Sequence, residues 1–61
     1  MFKFFIRIIN HTTGEIWDWD NLRARTPAAA VSVAWNQIKN YIEATDEIEI
    51  SVESRSRALA E

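Results

Sequence analysis

The residues with most chemical potential cluster in Trp17-Asp18-Trp19-Asp20, two aromatics and two carboxylates in strict alternation. Exposed tryptophans offer flat faces on which bases or sugar rings stack. The same side chains are what a small domain uses to fill its core, and the alternation of this segment calls for Trp17 and Trp19 under a helix, opposite Trp35. Asp18, Asp20 and Asn21 carry oxygens of the kind that ligate hard cations. No glycine follows for a sharp turn, no later glutamate closes the set, and ligands spread along a strand diverge from a common centre. No metal is expected there. The plainer role of Asp18 and Asp20 is pairing with Lys3 and Arg7.

Other reactive side chains lack companions. His11 is the only histidine, and a general base needs both a positioned partner and a cleft. A turn beside Thr12, Thr13 and Glu15 offers neither. Ser32, Ser51, Ser54 and Ser56 have no local base and no nucleophile-elbow motif. With a single glycine in the chain, a phosphate-cradling loop is out of reach. No catalytic residue and no cofactor is expected, and the chain reads as a non-enzyme. Arg23 with Arg25, and Arg55 with Arg57, form two basic pairs able to contact phosphates or an acidic protein surface, or simply to stay solvated.

Composition narrows the class. Sixty-one residues make one domain, and a domain of this size buries only about 60% of the surface its unfolded chain exposes. Stability of a few kcal/mol is therefore expected. Cysteine is absent, so there is neither a disulfide framework nor a thiolate metal site, which fits a reducing compartment. At 48% hydrophobic the chain is too apolar for disorder. Nine acidic against seven basic residues lack the basic excess of a duplex-DNA binder. Arg7 interrupts the apolar run at the start, and no small-residue cleavage site follows, so a signal peptide is not indicated. No stretch approaches the ~20 apolar residues that span a bilayer. A cytoplasmic protein with no membrane association is expected.

The elements that must position these side chains follow from period. In residues 2–10, Phe2, Phe4, Ile6 and Ile8 share one face of a strand and Lys3, Phe5, Arg7 and Ile9 the other. Apolar groups on both faces mark a central strand. His11-Thr12-Thr13-Gly14-Glu15 is a turn in which Gly14 supplies a positive φ. In the next strand, residues 15–21, an even loop places Trp17 and Trp19 with Ile6 and Ile8; an odd one would drive Asp18 and Asp20 into the core. Arg7 then lies across from Asp18 or Asp20. Residues 21–25 read as a connection. Thr26-Pro27 is a hydroxyl N-cap followed by proline at the first helical position, opening a helix over residues 27–44. Ala28, Val31, Trp35, Ile38 and Ile42 form its apolar stripe, flanked by Ala34. Residues 47–54 alternate Ile48, Ile50 and Val52 with Glu47, Glu49, Ser51 and Glu53, a half-buried edge strand. Residues 55–61 form a C-terminal tail.

Assembly follows from direction. The expected fold is α+β, a ββαβ domain over residues 1–54, whose three-stranded antiparallel sheet in order 2-1-3 carries one helix on one face. A right-handed crossover beside the second strand is the alternative, but it buries Phe5 and Ile9 less well. The buried set is expected to comprise Phe4, Ile6, Ile8, Trp19, Val31, Trp35, Ile38, Ile50 and Val52. The order of elements and the Thr-led, alanine-rich helix from Thr26 are loosely similar to the small partial-RNase-H-like domains of antitoxins of the HicB type; the extra strand and the glycine- and proline-bearing segment of those domains are missing, and no function is carried across.

Two surfaces are left for a partner. One helix covers one sheet face, leaving Lys3, Phe5, Arg7, Ile9, Ile16, Asp18 and Asp20, with Glu49 and Glu53, on the other; apolar groups rimmed by charge are what interfaces look like. The outer helix face, Ser32, Val33, Asn36, Gln37, Asn40 and Tyr41, carries less charge than a solvent face usually does. The expected function is a small stand-alone protein-binding module acting stoichiometrically, as an inhibitor, adaptor or antitoxin-like regulator, with a phage- or mobile-element-encoded inhibitor of a host or defence complex as one form. A chain beginning at its own Met1 and ending soon after one fold has room for little else. Its partner is another protein, or a second copy of itself through the open sheet face. The alternative is a nucleic-acid or ribonucleoprotein binder using Arg23, Arg25, Arg55, Arg57 and the open sheet.

Overall fold

The computed structural model describes residues 1–54; the tail, with Arg55 and Arg57, lies outside the described residues. In chain order the elements are β1 (Phe2–Asn10), β2 (Glu15–Ala24), α1 (Pro27–Ile38), a 3₁₀ turn (Lys39–Tyr41) and β3 (Ile48–Ser54). The strands form one antiparallel sheet in order β2-β1-β3, with α1 packed on one face. The apolar alternation of β1 on both faces thus places it in the centre, as the period predicts.

The β1–β2 loop has the even length that the tryptophans require. Asn10 faces Glu15 across residues 11–14, which puts Trp17 opposite Ile8 and Trp19 opposite Ile6. Gly14 closes the turn with a φ of 85°, a conformation that glycine adopts without the Cβ penalty, and its amide donates to the Asn10 carbonyl at 2.7 Å.

Beyond Trp19 the strand departs from the expected connection. Phe4 faces Leu22 while Ile6 faces Trp19, so Asp20 and Asn21 together oppose the single residue Phe5. This is a β-bulge, two residues against one. The extra residue shifts the inward parity of β2 from odd to even positions. Leu22 and Ala24 therefore point into the core and are buried, and Arg23 comes onto the same face as Lys3. An uninterrupted alternation would have buried Asn21 and Arg23, which is why residues 21–25 resemble a loop when period alone is considered.

Thr26 caps α1 as its type predicts: it is extended (φ −140°, ψ 159°), and its side-chain oxygen accepts from the Ala29 amide at 3.1 Å. The α-helix ends at Ile38, short of the expected residue 44. Its last turn tightens into 3₁₀ geometry, and Ile42 is extended. The Asp46 carboxylate accepts from the Glu43 amide at 3.0 Å, turning the chain toward β3.

The helix is also rotated relative to the expected stripe. Ala30, Ala34 and Ile38, spaced by four, are the buried line, at 0, 0 and 4% exposure. Val31 and Trp35 flank the core half-buried, and Ala28 is exposed. Size explains the choice: two alanines let the helix backbone approach a sheet face already filled by Phe4, Ile6, Ile8 and Leu22, whereas an indole beneath the axis would hold it away. On the other flank, the Trp19 indole donates through Nε1 to Gln37 Oε1 at 3.0 Å. That bond ties this side of α1 to β2. Trp17 and Trp19 are half-buried against the core, in the structural role expected for them.

Two expected core residues are not buried. Ile50 and Val52 are 42 and 43% exposed, although they lie opposite Ile8 and Ile6 on the helix side of the sheet. α1 packs against all three strands, but β3 is an edge strand, and a single helix leaves the outer parts of these two side chains uncovered. A polar residue takes a core position instead: Asn10 is fully buried. Its Oδ1 accepts from the Thr12 and Thr13 amides at 3.0 and 3.2 Å, and its Nδ2 donates to Asp46 Oδ2 at 2.8 Å.

Asp46 makes folding sensitive to acid. The Glu43 amide, and secondarily the Asn10 side chain, hold its carboxyl below the usual carboxylate range. A depressed carboxyl contributes stability that is complete above its unfolded value and is lost as pH falls through the folded one. Stability should therefore decline below about pH 4, and Asp46→Asn should flatten that decline while leaving less stability near neutrality. Urea titrations at several acidic pH values would check this; an unchanged slope in the variant would contradict it.

Candidate functional site

Opposite α1, the sheet presents a flat grid of side chains ordered by register. In the first row Lys3 faces Arg23. In the second Phe5 lies between the Asp20–Asn21 bulge and Glu53. In the third Arg7 lies between Asp18 and Ser51, and in the fourth Ile9 lies between Ile16 and Glu49. No helix among the described residues covers this face. All seven residues expected on it from the sequence are on it, joined by Glu49 and Glu53 and by Arg23, which the bulge delivers.

The middle of the grid is organised by Arg7. Its guanidinium forks onto Asp18, Nε to Oδ1 at 2.7 Å and Nη2 to Oδ2 at 3.3 Å. The guanidinium carbon also lies 5.5 Å from the centre of the Phe5 ring. Hydrogen bonding and charge from Asp18 push the Arg7 pKa above its ordinary value, so the guanidinium keeps its charge. Both partners are nearly half exposed, and a pair so well solvated orients side chains more than it stabilises the fold. Phe5 and Ile9 are half-buried, and Ile16, at 57% exposure, is the main apolar projection of this face.

Charge is segregated across the grid. Lys3 and Arg23 face each other at one end, with no ion-pair partner for either among the described residues. This corrects the expected pairing of Lys3 with a carboxylate. Along β3 the signs reverse: Glu49 and Glu53 share the face, and His11 Nε2 meets Glu49 Oε1 at 2.7 Å. A partner on this surface would meet a cationic corner, an apolar end and an acidic edge.

The second expected surface is broken up. Ser32, Val33 and Asn36 are exposed on α1, but Gln37 is engaged with Trp19. Asn40 and Tyr41 belong to the 3₁₀ turn, outside the regular helical face.

Among the described residues no cluster of three or more potential metal ligands forms, no cavity closes, and no helix is long and apolar enough to cross a membrane. No family model matches the chain, and neither a curated protein nor a solved structure matches it.

Proposed function

We propose that this protein is a binding module that acts by stoichiometric contact with another protein, as an inhibitor, adaptor or antitoxin-like regulator, and not by catalysis. The observation that carries the reading is the uncovered sheet face, where Phe5, Ile9 and Ile16 lie among oriented charges of both signs. Flat surfaces of this composition suit protein partners: the apolar groups supply burial, and the segregated charges set orientation and speed of encounter. Ile16→Glu is the cleanest test, because Ile16 is the most exposed apolar side chain on the face. The variant should keep the circular dichroism and melting curve of the parent and lose a partner captured one-to-one by the parent. Undiminished capture by a folded variant would refute this face as the contact.

A second reading is favoured by one observation, the Lys3–Arg23 pair beside the Phe5 ring. Two adjacent cations next to an aromatic also suit the phosphate and base of a single-stranded nucleic acid. Salt separates the two readings, since phosphate contacts release counterions and steepen the salt dependence of binding.

A further inference from the structure

The two edges of the sheet are not equivalent. β2 is interrupted by its bulge, and its helix-side residues are covered: Leu22 and Ala24 are buried, Trp17 and Trp19 half-buried. β3 pairs with β1 in unbroken register over all its residues, and no strand among the described residues pairs with its outer edge. The His11 amide donates to the Glu47 carbonyl at 2.8 Å, and hydrogen-bonded pairs alternate along an antiparallel ladder. The backbone groups of Glu49, Ser51 and Glu53 therefore point to β1, and those of Ile50 and Val52 point outward. The side chains of Ile50 and Val52 are the exposed ones on the helix side. Val31 and Trp35 lie on the flank of α1 opposite Gln37, the side away from β2, while Glu49 and Glu53 occupy the other face of the strand.

We propose that the outer edge of β3 accepts an extended segment of a partner protein as a fourth strand, one that alternates apolar residues with lysine or arginine. Main-chain pairing to Ile50 and Val52 would supply the bonds. Alternation would seat the apolar residues beside Ile50, Val52 and Trp35 and the cations beside Glu49 and Glu53. Charge selects this occupant over a second copy of the chain: the β3 of a second copy brings Glu49, Ser51 and Glu53 to this face and no cation, and in the register centred on Ser51 it sets Glu49 directly opposite Glu53, where like charges repel. The inference deepens the protein-binding reading, on which it rests, and extends the contact from the acidic side of the open face to the outer edge of β3.

The test uses the full chain and a short synthetic peptide alternating valine or isoleucine with lysine or arginine; a peptide with glutamate in the basic positions is the control. The basic peptide should slow amide hydrogen exchange at Ile50 and Val52 by about tenfold or more, and the acidic one should not. Val52→Pro removes an outward N–H and leaves the β1 ladder intact, a substitution that edge strands tolerate; it should abolish the protection. The double variant Glu49→Lys/Glu53→Lys, altered only at exposed side chains, should transfer the preference to the acidic peptide, and it decides the matter if Val52→Pro does not fold. Peptide binding without protection at Ile50 and Val52, or an unchanged preference in the charge-reversed variant, would overturn the proposal. So would concentration-dependent protection of these amides without peptide, the signature of a second copy. Ile16 lies on β2, at the opposite edge of the sheet, and Ile16→Glu should leave protection at Ile50 and Val52 intact, so failure of the edge and failure of the open face are separable.

Discussion

Asn10→Ala is expected to destabilise the domain by about 2–4 kcal/mol, because the amides of Thr12 and Thr13 lose their acceptor and a buried polar site is emptied. Two backbone donors fix which end of the Asn10 amide is oxygen, and the nitrogen end is thereby aimed at Asp46. One side chain thus joins the β1–β2 turn to the segment that leads into β3. Asn10→Asp should be at least as damaging, since it sets a second carboxylate against Asp46. A chain of this length has only a few kcal/mol in hand, so the loss should appear in urea titration as a large fall in midpoint. A near-parental midpoint for Asn10→Ala would show that the turn holds without its hub.

The second large effect is in the core, and it reports how the helix is rotated. Ile6 has no exposed surface, and Ile6→Ala should cost about 4 kcal/mol, toward the upper end for removal of a buried isoleucine. Trp35→Ala should cost less, about 2 kcal/mol, because only part of the indole leaves water, against about 3–5 kcal/mol for a fully buried one. Denaturation of the two variants side by side checks the order. If Trp35→Ala were the more damaging, α1 would have to turn Trp35 inward in place of Ala30 and Ala34.

Most of the fold was legible because it rests on period and parity. The alternation of β1 marks a central strand, and the need to keep Asp18 and Asp20 out of the core sets the even parity of the loop and with it the face of Trp17 and Trp19; parity alone leaves Arg7 opposite either Asp18 or Asp20, and the four-residue loop settles it on Asp18. Other features were not legible, each for a physical reason. The bulge at Asp20–Asn21 breaks the period that defines a strand, so Leu22 and Ala24 were missed although they alternate with Arg23 and Arg25 in a shifted phase. The rotation of α1 turned on the close approach that Ala30 and Ala34 allow, which an apolar stripe weighted by bulky side chains overlooks. Asn10 shares the inward parity of Ile6 and Ile8, and an asparagine before Thr12-Thr13-Gly14 is the signature of a side chain that caps a turn; those signals together could have placed it. For the open face, all seven expected residues share one surface, while the lie of Arg7 over the Phe5 ring is a side-chain geometry that no pattern of types contains.

The most direct measurement of the central claim is site-specific crosslinking in the native host, with a photoreactive amino acid placed at Ile16 or at Asn36. Both positions are exposed, one on the open sheet face and the other on the outer helix. The account predicts a single discrete protein adduct of one-to-one mass from position 16 and none of comparable yield from position 36. Adducts from position 36 alone, or nucleic acid as the crosslinked species at position 16, would contradict it.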